Sequence, residues 1–279
     1  MKVTALIKLI RLYYSLPLSA GLTVIVMYLT GPSLATLPPA LPWACLALFL
    51  IIAGAYSLND LCDITSDRIN HPQRVLVRGH FSMRAAKILA IVLFLTGNLC
   101  AACCNTGYWI GLILVCAGLI VYDLTSKRLG VFKAVLVATL TSSLYPLAFT
   151  LGGLPATERA RTLWFHMIWF FLTALAYEMY KDILDTKGDR TIATRASHDR
   201  QQLWYQRLAP WTVLVSTVFL IPPAVLGYCQ WIYLIAVLDA IVCALVALRS
   251  SVRGAIIWLY ASVVIVTLGS FLDLLVFGI

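Results

Sequence analysis

The sequence predicts an all-α polytopic membrane protein, with nine transmembrane helices in one bundle around a central cavity and the N-terminus on the cytoplasmic side. Three observations carry this. The 279 residues are 61% hydrophobic and only 12% charged, against about 45–50% and about 25% in soluble domains. The mean hydropathy is +0.90. The cationic residues fall in alternate loops, as the positive-inside rule requires of a polytopic chain.

A spanning helix needs about 20 apolar residues, and nine stretches qualify: roughly 12–30, 41–59, 86–104, 107–123, 131–151, 163–181, 209–228, 231–248 and 255–277. Short turns marked by Gly31-Pro32, Asn105-Thr106-Gly107 and Gly152-Gly153 separate several of them. The first stretch follows Lys2, Lys8 and Arg11 and reads as a retained span rather than a cleaved signal. Of the 21 Lys and Arg, all but Arg159 and Arg161 lie at the N-terminus or in loops after even-numbered spans. That puts those loops in the cytoplasm and the active side with them, in a bacterial or archaeal plasma membrane. The formal charge of +9 is thereby assigned to cytoplasmic loops and anionic lipid or phosphate, and no nucleic-acid partner is expected. The eight cysteines show no zinc-ligand spacing and read as small packing residues.

The acidic residues concentrate at two places. In NDLCDITSDRIN, after the second span, Asp60, Asp63 and Asp67 are spaced i, i+3, i+7. In YEMYKDILDTKGD, at the end of the sixth span, Glu178, Asp182, Asp185 and Asp189 are spaced i, i+4, i+7, i+11. Each set shares one helical stripe, where like charges repel and lose hydration near hydrocarbon. A helix that only spans would avoid this. Carboxylates that merely cap cytoplasmic helix ends are the plainer explanation for one stripe; two stripes on one face, both beside cations, favour a site. A proton pathway would place carboxylates at mid-membrane, where this chain has almost none.

Oxygen donors in this pattern suit Mg²⁺, with phosphate oxygens completing its shell. Arg68, Arg74 and Arg78 accompany the first stripe, Lys181, Lys187 and Arg190 the second, and Lys127 and Arg128 a third loop. Divalent metal and cations at the mouth of an apolar bundle point to a diphosphate whose hydrocarbon tail lies in the bundle, an isoprenoid diphosphate.

At these residues the chain resembles the UbiA family of intramembrane prenyltransferases. The first motif, N-D-x-x-D-x-x-x-D, is matched by Asn59, Asp60, Asp63 and Asp67; its continuation by Arg68, Ile69, Asn70, Pro72, Arg74 and Gly79. The second is matched by Glu178, Lys181, Asp182, Asp185, Gly188 and Asp189, and a smaller signature by Tyr122, Lys127 and Arg128. Where that signature usually continues to Asn, this chain has Lys133.

The resemblance implies that Asn59, Asp60, Asp63, Asp67, Asp182, Asp185 and Asp189 hold Mg²⁺. It implies that Arg11, Arg68, Arg74, Arg78, Lys127, Arg128 and Lys181 bind the diphosphate. Tyr122, Tyr145, Tyr177 and Glu178, with Tyr56 beside them, are the candidates for catalysis or for stabilising an allylic carbocation. The implied reaction moves a prenyl group from its diphosphate to a lipophilic or aromatic acceptor, with a lean to prenyl glycerol phosphates or hydroxy-aromatics. A terpene cyclase of the same family and a non-catalytic lipid-diphosphate binder or transporter are the alternatives. His71, His80, His166 and His198 carry no expected role; His71 and His198 read as loop residues and His166 as an interface residue.

Overall fold

The structure, a computed structural model, describes residues 2–125, 129–189 and 195–278, with side chains over 3–125, 129–185 and 200–278. These residues form helices joined by turns, without a strand among them. The order is α1 (Lys2–Leu9), α2 (Leu12–Thr30), α3 (Leu41–Cys62), α4 (Ile64–Asn70), α5 (Met83–Ala102), α6 (Thr106–Thr125), α7 (Phe132–Ser142), α8 (Leu144–Gly152), α9 (Thr162–Asp189), α10 (Arg195–Val218), α11 (Ile221–Val225), α12 (Trp231–Arg249) and α13 (Val252–Phe277).

Eight helical segments among the described residues are long and apolar enough to cross a membrane, α7–α8 and α10–α11 each serving as one. The expected sixth span lies within α9, whose apolar stretch is interrupted by His166, Glu178 and Lys181. Large apolar side chains such as Leu99, Leu114, Trp211 and Ile257 point outward. A surface of that kind suits lipid, since acyl chains are as apolar as leucine.

Proline explains two irregularities. Pro146 has no N–H to give Ser142, and its ring crowds that carbonyl; α7 ends at Ser142 and α8 starts at Leu144, so the fifth expected span is two helices in line. Pro17 inside α2 likewise frees the Tyr13 carbonyl. The Tyr260 hydroxyl of α13 donates to that oxygen at 3.0 Å, so the loss of one helical bond becomes a tie between α2 and α13.

The helices approach closely where residues are small. A Cβ on Gly269 would collide with Ala236 Cβ, and one on Gly97 would lie 3.0 Å from Ile51. With no hydrophobic drive between helices in lipid, such contacts supply the packing that holds α12 to α13 and α3 to α5.

The helices enclose a cavity of about 720 Å³. Its walls come from α2, α3, α6, α7, α8, α9 and α13, and it runs along α2 from Arg11 to Tyr28. Seventeen residues at 1.5 Å each make it about 25 Å deep.

Candidate diphosphate and metal site

The first acidic stripe is not on one helix. α3 ends at Cys62, Asp63 adopts φ −96° and ψ 5°, and α4 begins at Ile64. The ladder nevertheless continues across the break, since Asp63 N–H reaches Asn59 O at 2.9 Å and Asp67 N–H reaches Asp63 O at 2.8 Å. The i, i+3, i+7 register is thus kept, and Asp60 and Asp67 both face inward, buried.

The cations that meet them come from elsewhere in the chain. Arg11 lies between α1 and α2 with φ 46° and ψ 56°, the one non-glycine residue with positive φ among those described. That conformation costs on the order of 1–2 kcal/mol, and it is offset by two contacts. Arg11 Nη2 donates to Asp60 Oδ1 at 2.7 Å, and its guanidinium lies 4.6 Å from the Tyr56 ring centroid. Arg74, in the turn after α4, binds both Asp67 and, at 3.2 Å, Asp60. Burial pushes the Asp67 carboxyl up from its ordinary 3.8 to about 6, against the pull of Arg74.

The second stripe runs along α9 and is also matched with cations. Lys181 Nζ lies 3.1 Å from Glu178 Oε2, and Lys133 Nζ from α7 lies 2.6 Å from Asp182 Oδ1. His71 Nε2 lies 2.9 Å from Asp185 Oδ1, and Asn70 Nδ2 donates to the Asp185 carbonyl at 2.7 Å. These two contacts fasten the end of the first motif to the second, which brings the stripes together at one end of the cavity.

Aromatic rings line the same mouth. Tyr14 and Tyr177 share a hydroxyl–hydroxyl hydrogen bond of 2.8 Å, and the Tyr14 ring lies 6.1 Å from Tyr56 and 5.6 Å from Tyr260. Tyr122 and Asp123 of α6 complete the wall. Tyr145 also lines the cavity but at mid-depth on α8, its ring 6.1 Å from Phe170.

Most expected site residues converge here: Arg11, Tyr56, Asn59, Asp60, Asp67, Arg74, Tyr122, Tyr177, Glu178, Lys181, Asp182 and Asp185. Asp63, at the break between α3 and α4, is half-buried. Arg68 and Arg78 are exposed, on the outer face of α4 and of the following turn. Lys127 and Arg128 lie outside the described residues, as does the side chain of Asp189 at the end of α9. Residues the sequence reading left out are Lys133, His71, Asp123, Tyr14 and Tyr260. His71 is a loop residue, as expected, but one with a site partner. His166 is corrected more fully: it is 5% exposed, inside the bundle and against the cavity, because its ring stacks on Tyr233 rather than facing an interface.

The donor set fits Mg²⁺. It consists of carboxylates and one amide oxygen, the hard ligands that the ion prefers. It also includes a buried oxygen awaiting a partner: Asp123 Oδ1 accepts from Asn59 Nδ2 at 3.1 Å, while Asp123 Oδ2 is buried with no hydrogen bond among the described residues. Among those residues no three acidic or histidine side chains already form a closed metal cage. Arg, Lys and His occupy the carboxylates instead, as uncompensated charge in low dielectric demands.

Comparison with known proteins gives the family and the fold. A sequence profile of the UbiA prenyltransferase family matches residues 19–255. The chain is 32% identical over 265 residues to a protein named digeranylgeranylglyceryl phosphate synthase from Sulfurisphaera tokodaii, covering 91% of each. It is 32% identical over 258 residues to a protein of the same name from Halobacterium salinarum, covering 84% of this chain and 83% of that one. Its fold is similar to a solved structure reported for digeranylgeranylglyceryl phosphate synthase, with TM-score 0.70, 19% identity and 98% of both chains covered. It is also similar to a UbiA homologue from Archaeoglobus fulgidus bound to GPP and Mg²⁺, with TM-score 0.66, 15% identity and 99% and 100% covered.

Proposed function

The chain belongs to the UbiA prenyltransferase family, and from that premise we propose that it transfers a prenyl group from an isoprenyl diphosphate to the hydroxyl of a prenyl glycerol phosphate, with Mg²⁺ and release of pyrophosphate. It is a prenyltransferase and an integral, multi-pass membrane protein. The whole of residues 1–279 is read as one catalytic domain. The observation that carries the reading is the cavity itself: an apolar chamber about 25 Å deep by helical rise, opening where two acidic helix ends and their cations meet. The names of the relatives favour a glycerol phosphate over an aromatic acceptor.

Asn59, Asp60, Asp63, Asp67, Asp123, Asp182 and Asp185 would hold the metal, with Asp189 added by its motif. Bound Mg²⁺ supplies positive charge against the diphosphate oxygens. Arg11, Arg74 and Lys133 turn from their carboxylates to those oxygens, and with Lys181, held beside Glu178, they bind the departing pyrophosphate. Lys127 and Arg128 join them by the motif they match, and Arg68 and Arg78 guide the anion from the rim. Glu178 orients Lys181. The allylic C1–O bond breaks with its electron pair on pyrophosphate, and charge develops at C1. The faces of Tyr14, Tyr56, Tyr122 and Tyr177 stabilise that charge, and the apolar walls, Tyr145 included, exclude water from it. The acceptor oxygen then bonds to C1, and its proton passes to the departing pyrophosphate. The distribution of Lys and Arg supports a mouth on the cytoplasmic side.

The test is a reaction of detergent-purified protein with Mg²⁺ and prenyl diphosphates, with or without geranylgeranylglyceryl phosphate, 4-hydroxybenzoate or homogentisate. The expected result is pyrophosphate release that depends on the glycerol phosphate, with a product mass equal to the sum less pyrophosphate. Release without any acceptor would overturn the reading in favour of a cyclase. Binding without release under every combination would reduce the protein to a binder.

A further inference from the structure

The outer surface around the mouth carries cations of its own. Lys8 ends α1, Arg68 lies on α4, Arg78 lies in the turn after it, and Arg84 and Lys87 lie in the first turns of α5. All are exposed, and no salt bridge among the described residues uses any of them. The sequence supplies no exposed local partner, because the only acids in residues 1–122 are Asp60, Asp63 and Asp67. Asp60 and Asp67 are buried and turned inward to Arg11 and Arg74, and Asp63 is half-buried at the helix break. A surface with one sign of charge draws the opposite sign to it.

Packing gathers these cations on one side. Leu9 of α1, Leu76 of the turn and Ala86 of α5 form one small buried cluster, with Leu61, Ile64 and Phe81 against it. Lys8 adjoins Leu9, Arg78 follows Leu76 by two residues, and Arg84 and Lys87 flank Ala86. Arg84 and Lys87 are three apart and share a helix face. The turn that bears Arg78 is hydrogen-bonded throughout. Arg78 N–H reaches Arg74 O at 3.0 Å, and the N–H groups of Gly79 and His80 lie 3.1 Å from Leu76 O and Val75 O. Gly79 closes the turn with φ 69°, a conformation that glycine takes without strain. Ser82 then caps α5, its Oγ accepting from Ala85 N–H at 3.1 Å. One turn of backbone thus separates Arg74, which faces the site, from Arg78, which faces out.

Apolar side chains stand among the cations. Val3 and Ile7 of α1 and Met83 and Ile88 of α5 are exposed. Apolar groups beside Lys and Arg suit the boundary between headgroups and acyl chains. Against a nucleic acid or an acidic soluble protein, those apolar groups would stay in water.

We propose that Lys8, Arg78, Arg84 and Lys87 form a docking surface for the phosphate headgroups of membrane lipids, which gathers the lipid acceptor at the mouth; the inference rests on the glycerol phosphate reading above. That acceptor is a phosphomonoester lipid confined to the bilayer, so it reaches the mouth by sliding along the leaflet. The diphosphate is met by the buried cations of the site, and the exposed cations meet the acceptor phosphate. A cation near an anionic headgroup raises its local concentration about fivefold. Charges at a rim act on capture more than on the bound state.

The experiment uses the full chain in nanodiscs of phosphatidylcholine, without or with phosphatidate, a phosphomonoester lipid. Native mass spectrometry reads the phosphatidate retained on the protein with no prenyl substrate present. Transfer reads kcat and kcat/KM for the acceptor. The triple variant Lys8→Gln, Arg84→Gln, Lys87→Gln removes charge from exposed positions and leaves Arg68 and Arg78 in place. The wild type is expected to retain phosphatidate over phosphatidylcholine. The variant is expected to lose that preference, and to lose at least tenfold in acceptor kcat/KM with kcat unchanged, from about fivefold per cation. The charge-keeping triple variant Lys8→Arg, Arg84→Lys, Lys87→Arg should behave like the wild type, which a loss of folding or packing would not allow. Salt raised from about 0.05 M to about 0.5 M should bring the wild type towards the charge-removed variant. Phosphatidate retention or acceptor kcat/KM unmoved by charge removal overturns the proposal. So does inorganic phosphate that displaces phosphatidate at equal concentration, since the surface would then be a site for free anions. Charge-dependent retention with no transfer defeats only the catalytic reading, and acceptor-dependent transfer in which the charge-removed variant matches the wild type defeats only the docking surface.

Discussion

Arg74 joins two carboxylates that stand on different helices, reaching Asp60 at the end of α3 and Asp67 in α4 with the same guanidinium nitrogen. The break at Asp63 separates these two aspartates in the secondary structure, and Arg74 reunites them in space.

Removing that bridge is expected to show in stability before catalysis. Arg74→Ala leaves Asp67 buried without this cation and Asp60 with Arg11 alone. Breaking a buried pair costs about 3–5 kcal/mol, and the variant should unfold correspondingly earlier in detergent. Mg²⁺ should restore more stability to Arg74→Ala than to the wild type, since it can replace the missing charge. Equal Mg²⁺ shifts in thermal unfolding of the two proteins would count against a metal at these carboxylates.

The acidic residues should be separable from the packing. Asp63→Ala and Asp182→Asn are expected to lower turnover at least a hundredfold, the scale on which preorganised electrostatic groups act, while the protein elutes as a single folded species. Near-normal turnover of either at saturating Mg²⁺ would remove that residue from the metal site.

Asp67 predicts a pH dependence. Its carboxyl sits near 6 instead of 3.8, so between those values the folded protein holds a proton that the unfolded chain has released. On its own it makes folding more favourable as pH falls through that window. Metal binding goes the other way, because the ligand must be ionised. The Mg²⁺ concentration for half-maximal rate should therefore rise about tenfold per pH unit below about 6, and Asp67→Asn should flatten that limb. A half-saturation constant unchanged from pH 7 to pH 5 would contradict the assignment.

The end of the bundle away from the mouth should depend on Asp273. Asp273→Ala strands the Arg159 guanidinium and two N–H groups near the start of α12, a loss of about 3–5 kcal/mol. Asp273→Asn keeps one acceptor oxygen and should lose less. Thermal unfolding of the two variants side by side measures the difference.

Most of the fold was legible because hydropathy reads span length directly, and α2 and α12 begin where the apolar runs begin. The acidic motifs were legible because charge beside hydrocarbon is costly and calls for a reason. What was not legible came from distance along the chain. Lys133 meets Asp182 from 49 residues away, and His71 meets Asp185 from 114; neither has a local pattern to announce it. Lys133 looked like a departure from a motif, and only the packing of α7 on α9 makes it a partner. The breaks at Ser143 and Asp63 differ in the same way. Pro146 foretells the first, while no residue at the second signals a helix end. His166 is illegible in the sequence because a polar residue in an apolar run is ambiguous until its hydrogen-bond partner, here Tyr233, is known.

The tie between Tyr260 and the carbonyl freed by Pro17 spans 247 positions of the chain. It closes the ring of helices with α13. α13 contributes Tyr260, Val263, Thr267 and Phe271 to the chamber wall. Until ribosomal synthesis has delivered that helix, the nascent chain carries both acidic motifs but only a trough open to lipid. The chamber thus comes into being only once α13 has been made, and a chain cut before α13 would keep its charged residues and lose the enclosure in which they act.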